Sequence, residues 1–320
     1  MTDQEYKLYG GDVTMVFKPN STKYRYTVDD AISGTKGVSV RGVTSVLGSI
    51  IAKPDLMTWP MNMANKFLFG TRFDETLKEY VHDWKDAALQ PGASLSEEEL
   101  HEFMMEGSRQ WTKRADQGKD IGSLVHSMVE HYLKSSIEGT SRPEPLDFSD
   151  VDPKDMKMAQ KAFMSFKKWW SGLSNRSVMA VERPIYSRQM KYAGTFDLLV
   201  EIDGKTYLLD LKTTNASKKA PLGVYAENFL QLGGYSHALT EEQGTLIDDV
   251  GIIRVGKDGK LHIVTAKDLG FTVEACERAF AFAVRLHDFL EQATPFLQDA
   301  HFKSHLYPTS VVDNDVSVSN

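Results

Sequence analysis

The chain has 320 residues, 41% hydrophobic and 25% charged, with a formal net charge of −7 and a pI near 5.8. That composition is ordinary for a soluble globular protein of one large or two smaller domains, and the acidic balance excludes tight, non-specific coating of duplex DNA while leaving a local basic groove open. The single cysteine, Cys276, excludes an internal disulfide, a zinc ribbon and a four-cysteine iron–sulfur cluster, and suits a small core hydrophobe in a reducing, intracellular setting.

No apolar run is long enough to span a membrane, and Met1-Thr-Asp-Gln-Glu lacks the basic and apolar regions of a signal peptide, so a cytoplasmic protein with no membrane partner is expected. Short strands come first, Val13–Phe17, Tyr24–Val28 and Val38–Val43, punctuated by Gly, Pro, Asn and Asp. Residues 55–135 read as helices. One begins at Trp59, a second covers Phe73–Leu89, and a third has Ser96 as N-cap with Glu99 closing a capping box. Pro91–Ser94 and the polar Ser141–Pro153 are loops, and Asp155–Leu173 is helical.

Val178–Tyr186 has strand character, a hairpin follows, and a helix runs from Ala226 to Leu239. Val250–Val255 and Leu261–Thr265 pair about a Lys-Asp-Gly-Lys turn, and Thr272–Phe296 is a long helix. The fold class is α+β: a central mixed sheet of about five strands flanked by helices, with a mostly helical N-terminal extension. The expected division is an N-terminal region over residues 1–120, a core over 121–306 and a disordered tail over 307–320.

The hairpin is the most informative stretch. Asp203-Gly204 between two apolar runs is a strong two-residue turn pattern. With that turn, Ile202 pairs with Lys205, and Asp197 falls opposite Asp210. Phe196, Leu198 and Val200 then share an apolar face with Leu211, Leu209 and Tyr207. Like charges directly opposed on a sheet are destabilising, and a divalent cation offsets that cost most directly. Lys212 shares a face with Asp210, because strand side chains repeat every two residues. Hard oxygen ligands suit Mg²⁺ or Mn²⁺, and an ion there would polarise a phosphoryl oxygen.

Two further motifs accompany it. In Gly122-Ser-Leu-Val-His126-Ser-Met-Val-Glu130, the apolar stripe runs through Ile121, Leu124, Val125 and Met128, which leaves Gly122, His126 and Glu130 on another stripe. His126 is therefore either solvated or facing a site. Gln231 and Tyr235 are one helical turn apart and face the same way, toward a site or as an anchor to the core. Basic residues interleaved with aromatics, Lys167 and Lys168 beside Trp170 and then Arg183, suit single-stranded nucleic acid, or else mark an amphipathic helix with a core-facing tryptophan.

Taken together, Gly122-x-x-x-His126, Gly-Thr-Phe-Asp197, Leu-Leu-Asp210-Leu-Lys212-Thr-Thr and Gln231-x-x-x-Tyr235 resemble the PD-(D/E)XK nuclease superfamily, and within it the RecB-type exonuclease branch. Gly42-Val-Thr-Ser-Val-Leu-Gly ahead of a Trp59 helix is similar to phage exonucleases and to the mitochondrial genome maintenance exonuclease. The resemblance implies a restriction-endonuclease-like fold. It implies that His126, Asp197, Asp210 and the backbone carbonyl of Leu211 hold one or two Mg²⁺ or Mn²⁺ ions, with Lys212 activating the water. Gln231 and Tyr235 would then steady Lys212 and the DNA backbone.

Glu182, in Val181-Glu182-Arg-Pro, matches a frequent family glutamate, as a metal-site group or as a surface strand charge. Several relatives carry a C-terminal iron–sulfur cluster held by cysteines, which this chain has no cysteines to build. The implied activity is a DNA exonuclease working from an end, on single strands, flaps or duplexes. Helices between residues 55 and 115 would form an arch, replication or recombination proteins are the expected partners, and phage or bacterial origin fits.

Overall fold

A computed structural model describes residues 3–18, 25–51, 54–74, 79–83, 85, 87–90, 92–135, 137, 146–214 and 224–298. The expected tail over 307–320 lies outside them. Four strands open the chain: β1 Gln4–Leu8, β2 Val13–Phe17, β3 Tyr26–Asp30 and β4 Thr35–Gly42. Helices α1 Val43–Ile50 and α2 Pro54–Phe69, the small pair β5 Thr71–Asp74 and β6 Glu79–His82, and helices α3 Glu97–Lys134 and α4 Pro153–Gly172 follow. Strands β7 Arg176–Ser187, β8 Tyr192–Ile202 and β9 Lys205–Thr213 lead to α5 Ala226–Gln243, β10 Asp249–Val255, β11 Leu261–Thr265 and α6 Val273–Gln298.

Among the described residues the main sheet has nine strands, in the order β1-β2-β3-β4-β8-β9-β10-β11 with β7 also paired to β8. The count exceeds five because the N-terminal meander joins the central strands. Its last strand lies parallel to β8 at Arg41↔Tyr192 and Gly42↔Ala193. The sheet is mixed, since β9 and β10 are also parallel, connected through α5.

Each face carries its own core. Val43, Leu199, Leu232 and Phe280 belong to the layer under α1, α5 and α6. Ile121, Val125, Phe166, Trp170 and Leu209 form the layer under α3 and α4. Each large side chain buried there contributes roughly 1.5–3 kcal/mol by leaving water. Helix α4 starts two residues before the expected Asp155, where Asp152 accepts from the Lys154 and Asp155 amides with Pro153 next in line.

Two local expectations are corrected. Phe73–Leu89 does not form the expected single helix, because among its described residues β5 and β6 pair antiparallel from Thr71↔His82 to Asp74↔Glu79. Gly70, at φ 60°, turns the chain out of α2, and an added Cβ would collide with the Asp83 carbonyl oxygen. The helix capped at Ser96 is the 38-residue α3, which also carries His126. Phe196 does not share a face with Leu198 and Val200. It packs in the α5–α6 layer while they pack in the α3–α4 layer, and the partner strand β7 leaves β geometry opposite Asp197, at Glu182 with φ 45°.

Candidate active site

The hairpin register follows the two-residue turn. Asp203 and Gly204 both adopt positive φ, 51° and 73°, and the ladder runs Ile202↔Lys205, Val200↔Tyr207 and Leu198↔Leu209. It stops one residue before Asp197 and Asp210. Strand β8 has β4 alongside at Tyr192–Ala193 and β9 alongside at Leu198–Ile202, so Asp197 lies in the interval where β8 changes neighbour. On the opposite edge, β7 pairs through Val181↔Leu198 and Arg183↔Phe196, leaving Glu182 level with Asp197 but outside the ladder. Glu182 takes φ 45°, a left-handed conformation that costs a non-glycine residue about 1–3 kcal/mol and often marks a functional position.

This interruption frees the side chains from the pleat. Asp197 accepts the Leu211 amide at 2.6 Å through one oxygen, and its other oxygen lies 3.7 Å from His126 Nδ1. Glu182 Oε1 is 3.1 Å from the same Nδ1, and His126 Nε2 is 2.9 Å from the Leu211 carbonyl oxygen. One ligand atom each from His126, Glu182 and Asp197 lie within 4.8 Å of one another.

Asp210, 1% exposed, belongs to the other half of the site. Its oxygens sit 2.9 and 2.8 Å from Lys212 Nζ. Lys212 also reaches Gln231 Oε1 at 3.4 Å, and Gln231 Nε2 donates to the Tyr235 hydroxyl at 2.9 Å. Gly194 makes room for that tyrosine: an added Cβ would lie 2.6 Å from Tyr235 Cε1.

The electrostatics follow from burial. Desolvation is the largest influence on Asp197 and Asp210 and raises both, Asp210 to about 6; Lys212 pulls Asp210 back down and Asp197 pushes it up. Burial opposes charge on His126, but Asp197 and Glu182 outweigh it and raise the imidazole to about 9. Both ring nitrogens then donate to oxygen acceptors, so an imidazolium neutralises the carboxylates when no metal is bound. Burial likewise opposes charge on Lys212, and Asp210 and Asp197 outweigh it to hold the ammonium above the ordinary lysine value.

A divalent ion fits this donor set. The oxygens and the imidazole nitrogen suit Mg²⁺ or Mn²⁺, and Asp210 Oδ2 is buried with no directed hydrogen bond despite its close ammonium.

The sequence-selected residues divide clearly. His126, Glu182, Asp197, Asp210, Leu211, Lys212, Gln231 and Tyr235 converge. Glu130, a turn beyond His126, pairs instead with Lys134 at 2.5 Å. Trp170 is corrected as a DNA contact: it is 4% exposed in the α3–α4 core, with Arg176 over its ring at 5.6 Å. Arg183 is held by Glu242 at 2.7 Å on the α5 side. Lys167 and Lys168 are exposed on α4, Lys167 over the Tyr132 ring at 5.4 Å.

The site is a carboxylate–imidazole centre with an adjacent lysine, set where the strands of an α+β sheet diverge, an arrangement suited to metal-assisted hydrolysis. The profile of the PD-(D/E)XK nuclease superfamily matches residues 60–301, and the chain belongs to that superfamily. No curated protein matches it. Among solved structures, it is similar to a provisionally assigned exonuclease from Eubacterium rectale, at 15% identity over 52% of this chain and 68% of that one, with a TM-score of 0.33. It is also similar to the protein SSO0001, at 14% identity over 55% of this chain and 86% of that one, with a TM-score of 0.23.

Proposed function

We propose that the protein is a Mg²⁺- or Mn²⁺-dependent exonuclease of the RecB-type branch, hydrolysing DNA phosphodiesters from an end of single-stranded or flapped DNA in replication, repair or recombination. The observation that carries this reading is the convergence of Glu182, Asp197 and His126 within 4.8 Å, beside the Asp210–Lys212 pair. A surface hairpin has no use for such a concentration of half-buried charge, and a DNA-binding module without activity does not need it.

Glu182, Asp197, His126 and Asp210 would hold the ion, with the Leu211 carbonyl as a further oxygen. Once bound, a divalent cation polarises the phosphoryl oxygens and acidifies a water. The side chains supply the rest. Lys212, charged and fixed by Asp210 and Gln231, donates to the attacking water or to a non-bridging phosphate oxygen as negative charge builds there. Tyr235 and Gln231 fix the direction of that ammonium. In-line attack on phosphorus breaks the P–O3′ bond, leaving a 5′-phosphate and a 3′-hydroxyl. The region before residue 120 would admit the strand end.

End-labelled single-stranded, duplex and flapped DNA, incubated with Mg²⁺, Mn²⁺ or EDTA, tests the reading. Cation-dependent loss of nucleotides from linear single strands, with circular single strands left intact, is expected. Equal cleavage of circles sinks the end-dependent part. Preference for duplex ends would make it a duplex exonuclease, and intact DNA after long incubation with Mn²⁺ would leave a binding module on a nuclease fold.

A further inference from the structure

Two surface depressions flank α4 away from the carboxylate centre. One is a groove between α4 and the β10–β11 turn, lined by Lys157, Lys161, Lys168 and Ser165. The other is a cleft between α3 and α4, lined by Met128, His131, Tyr132, Phe148 and Phe163. Each has a volume of about 700 Å³, and they share Gln160 and Met164. They are therefore neighbouring parts of one surface, crossed by the outer face of α4.

The groove is cationic in a chain of net charge −7. Lys157, Lys161 and Lys168 recur along one stripe of α4, all exposed, and none makes an ion pair among the described residues. Asp258, the acid at the groove wall, is occupied by the Lys260 amide at 3.1 Å, with the Lys260 ammonium 3.9 Å away. The cleft is aromatic. Phe163 meets Tyr132 edge-on at 5.9 Å, and Lys167 stands over the Tyr132 ring at the rim. His131 Nδ1 is buried among these rings with no hydrogen-bond partner. Met164, 56% exposed, forms an adaptable apolar ridge between the two.

We propose that this surface binds single-stranded DNA: the lysine groove tracks the phosphates, and the aromatic cleft takes an unpaired base. Cations flanking π-faces are what a flexible strand needs, because each phosphate releases counterions and each base stacks. A duplex keeps its bases paired and has none to offer the cleft. The basic and aromatic residues that interleave usefully are thus Lys157, Lys161, Lys168, Phe148 and Phe163, while Phe166 and Trp170 build the core. The inference shares the DNA substrate of the nuclease reading, but it concerns binding and is measurable without turnover.

The test uses the full chain in EDTA with fluorescent 20-nucleotide oligothymidine, an abasic strand of equal length, and a duplex, across a salt series. Replacing three phosphate-contacting lysines, Lys157→Ala/Lys161→Ala/Lys168→Ala, is expected to weaken binding about 100-fold at 0.1 M salt and to flatten the log K against log salt slope by about 2. The triple Lys→Arg variant is expected to bind like the unmodified protein. Phe148→Leu/Phe163→Leu, which retains apolar volume, is expected to erase an approximately tenfold preference for base-bearing over abasic strands. With Mn²⁺ added, the alanine triple should raise KM and leave kcat unchanged. An alanine triple with unaltered Kd, slope and KM, or duplex and abasic strands bound as tightly as oligothymidine, overturns the proposal even if the enzyme cleaves DNA. Lysine-dependent binding without cleavage overturns the nuclease reading and leaves the surface assigned.

Discussion

Replacing Lys212 by methionine removes the cation that faces a carboxylate only 1% exposed to water. At 2.8 Å the Lys212–Asp210 attraction is about 6 kcal/mol with an effective dielectric near 20. Lys212 is 28% exposed, so relief of its own desolvation and rehydration of the pocket return part of that. The net loss expected for metal-free Lys212→Met is about 3 kcal/mol, the low end of the cost of breaking a buried pair, or a fall in Tm of about 6–12 °C. The loss depends on pH. Asp210 already titrates near 6, above its unfolded value, because burial disfavours its charge, and without the ammonium it moves higher. A carboxylate with a raised folded pKa costs stability at pH above that value, and the cost fades as pH falls toward the unfolded pKa. Thermal unfolding in EDTA should therefore show the full deficit at pH 8 and a much smaller one at pH 5. Lys212→Met/Asp210→Asn should recover most of it at pH 8. A deficit equal at both pH values, or below about 3 °C at pH 8, would refute the buried-pair account.

Three other outcomes follow from the same geometry. Above pH 9, where His126 has lost its proton, Asp197 faces Glu182 and Asp210 with less compensation, so Asp197→Asn should raise the metal-free Tm by about 1–3 °C while abolishing the shift produced by Mn²⁺; a fall in Tm would contradict the carboxylate crowding. His126 has a raised folded pKa, so its contribution to metal-free stability is complete below about pH 6.5 and is lost as pH rises through 9, whereas metal binding needs the neutral ring. The Mn²⁺-induced rise in Tm should accordingly grow between pH 6 and 9, and a flat profile would remove His126 from the ligand set. Gly194→Ala drives a methyl group to 2.6 Å from Tyr235, which should cost about 1–3 kcal/mol by calorimetry and lower kcat more than KM, because Gln231 and Lys212 take their direction from that ring.

The hairpin was legible because its turn chemistry and its alternation agree. Asp203-Gly204 sets the register, and the paired residues from Leu198 to Lys205 follow from it. What the register cannot convey is its own interruption. The direct Asp197–Asp210 opposition gives way to two half-sites, because β8 exchanges β4 for β9 at that point and Glu182 departs from β-strand geometry. Period-two reasoning continues through such a break and misplaces Phe196. Glu182 was ambiguous in the sequence for the same reason, since its role depends on a positive φ that no local residue pattern announces. The nine-stranded sheet depends on non-local pairing, β4 against β8, which propensity does not report. Trp170 shows the converse: its place at helical spacing with Phe166 fits core packing, whereas the lysines beside it in sequence fit an outward-facing stripe.

The central claim is that the half-buried acids, His126 and Lys212 form one metal-dependent hydrolytic centre. It is tested most directly by following end-labelled single-stranded DNA with the unmodified protein and Lys212→Ala, each in Mn²⁺ and in EDTA, with Mn²⁺ binding to both measured calorimetrically. The account predicts cleavage to 5′-phosphate products by the unmodified protein in Mn²⁺ alone, and Mn²⁺ binding without cleavage by Lys212→Ala. Cleavage in EDTA, or an Lys212→Ala protein that cleaves at the normal rate, would contradict it.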